Sequence, residues 1–233
     1  MRVGASILLK NGYCYQSYGW NRFRPLGDLQ TAIDILDEYE VDEILIVRPI
    51  KGVDSEDSLN IDLKLLSELK TITPLSFGGG IRSNSDINNL SGLPIERLCL
   101  SSAFININEG FVKNAINSFG RQAILACLPI TLIDDVICVY HSEANELIKL
   151  SDEIQEFCMQ YADEIIIIDM SNEGNNDYFQ MDLLEHLKIP LNKIIITGGV
   201  GKNIIRVAKS TGIASSIIEN RVLHSENSID YFK

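Results

Sequence analysis

The residues of this chain best suited to chemistry lie in two glycine-rich turns. The stretch 193–202, KIIITGGVGK, carries a four-residue β-branched run, three of them isoleucine, into a Gly pair and then a helix-like segment. The stretch 75–83, LSFGGGIRS, is its weaker echo. Both read as a buried strand whose exit turn offers bare backbone N–H groups to an anion, with the next helix N-terminus adding its dipole. Gly78 and Gly198 stand 120 positions apart. Two such cradles half a chain apart predict one barrel of two similar half-barrels, holding a ligand with a phosphate at each end. Glycines also serve simply to tighten strand-to-helix turns, but the pair, each closing a strand, favours anion binding.

The other reactive residue types add little. His141, His186 and His224 are scattered without ligand spacing and read as surface or turn residues, so no metal and no other cofactor is expected. Cys14, Cys99, Cys127, Cys138 and Cys158 form no CxxC, and Cys99, Cys127 and Cys138 lie in apolar runs where a cysteine behaves as a small hydrophobe. That usage fits a reducing cytoplasm. A net charge of −12 and a pI near 4.7 argue against a nucleic-acid binder, because nothing here would neutralise a row of phosphates. A phosphorylated small molecule needs only a few local donors. The opening MRVGASILLK lacks a cleavage-site pattern, and no apolar segment approaches the ~18 residues of a membrane span.

The elements that must position these turns alternate from end to end. Apolar runs at 3–9, 43–47, 75–77, 97–100, 123–128, 164–168, 193–197 and 214–218 predict strands. Helix-like segments at 29–39 (capped by Asp28), 61–69, 85–90, 109–118, 151–161, 181–187, 203–210 and 229–232 follow them. Eight strand–helix units with near-continuous apolar strands predict an α/β fold of the (β/α)8 TIM-barrel type, a single domain over residues 1–233. Segments 134–140 and 143–150 read as a small excursion after strand 5, a candidate hairpin. In such a barrel the loops after the strands form the active face, and strand starts lie at the opposite mouth.

In this order the motifs ILLKNG, LGDLQTAIDILDEYEVDEILIV, SFGGGIRS, RLCLSSAFIN, FGRQAILACL, ADEIIIID and ITGGVGK resemble the cyclase subunit of imidazole glycerol phosphate synthase across nearly the whole chain. The resemblance implies a barrel that takes ammonia from a glutaminase subunit at its lower mouth and passes it along the axis to an upper face that cleaves and cyclises a bisphosphate-bearing ribonucleotide. It also assigns residues. Gly78, Gly79 and Gly80 match the family's phosphate loop after strand 3, and Ser101 and Ser102 the small polar pair after strand 4. Glu173 and Gly174 match an acidic residue and glycine after strand 6, and Gly198, Gly199 and Gly201 the loop after strand 7. Loop 8 departs from the family's small residues with Asn220 and Arg221, the latter able to fork onto a phosphate or fill its space. Arg2, Glu43, Arg97 and Glu164 fall on the family's ring of alternating charges around the ammonia inlet.

The upper face departs most. The family reaction uses one aspartate ending strand 1 and one ending strand 5 as acid and base; Leu8 and Pro129 stand there, and Arg48 replaces a third acidic position ending strand 2. Pro129 also predicts a reshaped strand end. Asp169, Glu173 and Asp177 border the face from another side and are weak candidates for a relocated acid and base; as ordinary roles, Asp169 caps a turn and Asp177 is solvated. Loop 1, 10–28, carries Tyr13, Tyr15, Tyr18, Trp20 and Phe23 among Arg22 and Arg24 and reads as a lid or docking surface, with Gln16 where the family offers a lysine and Lys10 kept. The ILLK of strand 1 resembles the branch accompanying an amidotransferase that builds amidino sugars for bacterial surface glycans. The leading expectation is a conduit that activates a glutaminase and hands ammonia to a sugar amidotransferase. The alternatives are an active cyclase of histidine biosynthesis with rearranged acid and base, and a phosphosugar-binding barrel without an ammonia role.

Overall fold

The computed structural model describes residues 1–52, 55–219 and 223. Eight parallel strands form its centre: β1 (Arg2–Lys10), β2 (Ile44–Val47), β3 (Leu75–Gly78), β4 (Arg97–Leu100), β5 (Ile124–Ile133), β6 (Glu164–Asp169), β7 (Ile194–Thr197) and β8 (Ser215–Ile218). Each pairs with the next, β5 and β6 from Glu164↔Leu125 to Asp169↔Ile130, and β8 returns to β1 through Arg2↔Ser215. The sheet is therefore closed, a (β/α)8 barrel, as eight apolar runs between amphipathic segments require.

Helices α1 (Leu29–Glu38), α2 (Glu56–Glu68), α3 (Asn84–Leu90), α4 (Ser102–Ile105), α5 (Glu109–Phe119), α6 (Asp152–Tyr161) and α7 (Lys202–Thr211) surround it. Their starts follow from the sequence: Asp28, Ser55, Asn108 and Ser151 accept N-cap hydrogen bonds, and Ser83 forms a capping box with Asp86. The segment expected at 181–187 is a 3-10 turn, Met181–His186. The helix expected at 229–232 lies outside the described residues.

Alternation along the strands divides the core in two. Val3, Ala5, Ile7 and Leu9 of β1 pack outward with the helices, so Arg2, Gly4, Ser6 and Leu8 face the lumen. The lumen holds its own apolar cluster of Leu45, Cys99, Leu125, Cys127, Ile166, Ile168, Ile195 and Ile217, with Val47 and Trp20 packed on it.

Two antiparallel ribbons rise from the upper mouth. Loop 1 is ordered into strands Tyr13–Tyr18 and Arg22–Gly27 that continue from β1. Beyond β5, the chain turns at Asp134 and Asp135, both at positive φ, into strands Val136–His141 and Glu146–Lys149. The excursion is thus a three-stranded meander, larger than a hairpin. Pro129 does not reshape the strand end as expected: β5 runs through it to Ile133. The β4 ladder on that edge ends at Ala126 and the antiparallel one begins at Ile130, so Pro129 stands in the gap between ladders.

Candidate functional site: two mouths of the barrel

At the lower mouth the strand-start charges close into a ring. The Arg2 guanidinium meets Glu43 at 3.0 Å and Glu164 at 2.6 Å, while Arg97 meets Glu43 at 3.5 Å and Glu164 at 2.6 Å. Ser215 donates to Glu43 from β8, and Asp163 adds a contact to Arg97 at 3.6 Å. A Cβ at Gly4 would come within 2.7 Å of Glu43, so the glycine in β1 leaves room for the ring carboxylate. Burial pushes the Glu164 carboxyl up, but the hydrogen bonds and charges of Arg2 and Arg97 outweigh it and hold it below the usual carboxylate range. The ring borders a recess of about 630 Å³. Above it lies the apolar lumen. There Cys127, hydrogen-bonded to Cys99 and buried, has its thiol pushed well up, so it stays protonated and is no nucleophile.

At the upper mouth Leu8 and Pro129 border separate small chambers that share Trp20, Val47 and Ile168 as walls. Trp20 sits at the tip of the loop 1 ribbon, at φ 53° in a turn with Gly19 at φ 59°, a left-handed pair that suits a tight hairpin. It is held there from both sides: its N–H donates to Glu173 at 2.8 Å, and Lys51 Nζ donates to its carbonyl at 3.0 Å. Its ring packs edge-on to Tyr140 of the second ribbon, with centroids 6.2 Å apart.

Arg48 does not enter the lumen as a reactive cation. It is buried on the helix side, donating to Asp62 at 2.6 Å and Ser58 at 2.9 Å, while Asp62 also accepts from the N–H of Gly12 at 2.7 Å. One fully buried ion pair thus ties β2, α2 and the root of the loop 1 ribbon together. Asp62 carried no signal in the sequence beyond an amphipathic helix position.

The weak acid and base candidates have structural partners. Asp169 is fully buried and accepts from the N–H groups of Ser171, Asn172 and Gln180 and from the Asn172 amide, so it caps the turn after β6, the ordinary role expected of it. Asp177 is not simply solvated: it accepts from the N–H groups of Asn203 at 2.9 Å and Ile204 at 3.0 Å, capping α7. Glu173 does border the upper chamber, where it accepts from Ser17 and Trp20; burial raises its carboxyl against those hydrogen bonds. Beside it stands Glu219, which sequence reasoning passed over. Burial, then the Glu173 and Asp169 charges, raise the Glu219 carboxyl to about 8 although it accepts from the N–H groups of Gly174, at 2.6 Å, and Gly199.

The two glycine turns differ. In the 78–80 turn, Gly79 and Gly80 have positive φ, and a Cβ on Gly79 would lie 2.2 Å from the Arg48 carbonyl oxygen. The turn borders the Pro129 chamber with Ser101, whose buried Oγ has no partner among the described residues. Ser102 instead bonds Ser142 at 3.0 Å. In the 198–201 turn, Gly198 and Gly199 also have positive φ, but the N–H of Gly199 donates to Glu219 and those of Asn203 and Ile204 to Asp177. Asn220 and Arg221 lie outside the described residues. His141, expected as a surface or turn residue, is buried at the head of the turn 142–145, taking an N–H from Ala144 at 3.1 Å and bonding Asn106. Among the described residues no group of three or more His, Cys, Asp or Glu side chains is placed to hold a metal. No helix there is long and apolar enough to cross a membrane.

The chain matches the family described as histidine biosynthesis protein over residues 2–228. It is 30% identical over 208 residues, 86% of this chain and 80% of the relative, to a Campylobacter jejuni protein provisionally named imidazole glycerol phosphate synthase subunit hisF2. A Vibrio vulnificus protein of the same provisional name is 26% identical over 87% of this chain and 75% of its own. Imidazole glycerol phosphate synthase subunit HisF of Staphylococcus aureus is 26% identical over 86% of this chain and 84% of its own. With the closed barrel and the order of its motifs, these matches mean that the chain belongs to the histidine biosynthesis protein family, as a barrel of the imidazole glycerol phosphate synthase HisF type.

Proposed function

We propose that this chain is a glutaminase-coupled barrel subunit that conducts ammonia from a glutaminase partner, with cyclase activity lost or strongly reduced. The observation that carries the reading is a contrast between the mouths. Below, four charges of alternating sign meet across the lumen; above, the two lumen-facing positions where the family reaction needs an acid and a base are Leu8 and Pro129. An apolar lumen passes a neutral amine without competing for its lone pair, and a ring of paired charges parts for a small molecule without leaving one charge alone. The acceptor in this reading is a sugar amidotransferase of surface-polysaccharide synthesis docked beside the loop 1 ribbon, whose Tyr13, Tyr18 and Phe23 are exposed.

A second reading, an active cyclase, draws support from Glu173 and Glu219, two carboxyls raised by burial beside one chamber. One assay separates the two. Each missing acid or base typically costs about 10²- to 10⁴-fold, so turnover of the family's ribonucleotide with ammonium salt should be at least about 10⁴-fold below that of a cyclase retaining both aspartates. Turnover at the ordinary rate rejects the conduit. Mixing with the glutaminase subunit should give a complex and faster glutamine hydrolysis; neither result leaves a phosphosugar-binding barrel without an ammonia role.

A further inference from the structure

The donors around the second glycine turn do not await a ligand. Four backbone N–H groups border the turn in two pairs, Gly174 with Gly199 and Asn203 with Ile204. Backbone donors at the start of a ten-residue helix suit a phosphate dianion. Here Asp177 takes the last two with one oxygen and the Asn203 amide with the other. Glu219 takes Gly174 and Gly199. The protein's own carboxylates thus sit on both sides of the turn. The fit is close: a Cβ at Gly201 would come within 2.7 Å of the Asp177 nitrogen, and Asp177 itself is held at φ 66°.

The first turn is different in kind. No described carboxylate accepts from Gly79 or Gly80, the Ser101 Oγ beside them has no partner among the described residues, and Lys51 borders the same chamber. We propose that Asp177 and Glu219 stand in for a second phosphate, so that the upper face admits a ligand carrying at most one phosphate, seated on the side of Gly79, Gly80 and Ser101. A phosphate entering the second turn would have to displace two carboxyl groups from the N–H donors they already hold, at a cost of several-fold in affinity at least. The inference holds whether or not ammonia crosses the lumen.

Calorimetric titration of the full chain with ribose 5-phosphate and with ribulose 1,5-bisphosphate decides it. The wild-type protein should bind the bisphosphate no more than about threefold tighter than the monophosphate, the statistical and charge advantage of a second end. It should also take no more than one inorganic phosphate per chain. A preference above tenfold, or two phosphates per chain, overturns the proposal. The double variant Asp177→Ala, Glu219→Ala empties the second turn and should gain at least tenfold for the bisphosphate with the monophosphate unchanged. A folded double variant with no such gain overturns the assignment to these two residues. Should circular dichroism show it unfolded, Glu219→Ala alone must show a gain of at least threefold, and its absence counts in the same way.

Discussion

The two mouths of this barrel use charge in opposite ways. At the lower mouth, residues that open β1, β2, β4 and β6 point into the lumen and pair across it. At the upper mouth the lumen-facing ends of β1 and β5 are apolar, and the charged groups hold loops: Arg48 pairs with Asp62 behind β2, Glu173 at the chamber edge holds the loop 1 ribbon, and Asp177 caps α7. The difference teaches that ionisable residues at the active face of such a barrel do not by themselves signal chemistry. What matters is whether the carboxylate has lone pairs left to face the chamber, and Asp169, with four donors on it, has none to spare.

The comparison breaks most visibly at Arg48. If its charge is structural, Arg48→Met leaves the buried Asp62 carboxyl without a counter-charge. The variant should lose about 3–5 kcal/mol, seen as a lower denaturant midpoint, and the double variant Arg48→Met, Asp62→Leu should recover most of it. A single variant as stable as wild type would mean the pair contributes nothing to holding the upper face.

The lower ring sharpens the comparison through pH. Glu164→Gln removes the carboxylate shared by both arginines and should cost about 1–3 kcal/mol at pH 7. Because the native Glu164 carboxyl lies below its usual range, its contribution is present above the unfolded value near ~4.3 and is lost as pH falls through the native one. The gap between variant and wild type should therefore close in acid. A gap that stays constant from pH 7 to pH 3 would show that the arginines do not favour the ionised form.

Much of the frame was legible because period and count suffice for it: all eight barrel strands fall on the apolar runs, and Asp28 caps α1 where a polar residue precedes a periodic segment. The ring residues were legible in position, since strand starts face the lumen or the helices by parity, although their choice leaned on the family resemblance. The partners at the upper mouth were not legible. Glu173 reaches Ser17 across 156 positions, Asp177 reaches Asn203 across 26, and Trp20 lies on the lumen only because a hairpin folds back over it. Such pairings depend on how loops close in space, which neither periodicity nor spacing encodes. Pro129 misled for a related reason: a proline disrupts a strand only where its N–H is needed, and that depends on the neighbouring ladders.

The smallest expected effect tests whether the upper carboxyls are merely structural. Glu219, with its carboxyl at about 8, is protonated in the native state over a range where the unfolded chain is ionised. Its relative contribution to stability is full below the unfolded value near ~4.3 and declines as pH rises through about 8. Glu219→Gln, which keeps an acceptor for the Gly174 N–H, should be indistinguishable from wild type at pH 4.5 and about 1–2 kcal/mol more stable at pH 9. Trp20, the one tryptophan of the chain, borders the same chamber as Glu173 and Glu219, so its emission should shift as Glu219 titrates near pH 8, and the substitution should abolish that transition. A flat emission profile in the wild-type protein would mean that the two carboxyls do not share the chamber in their protonated form, and the case for a proton donor at this mouth would go with it.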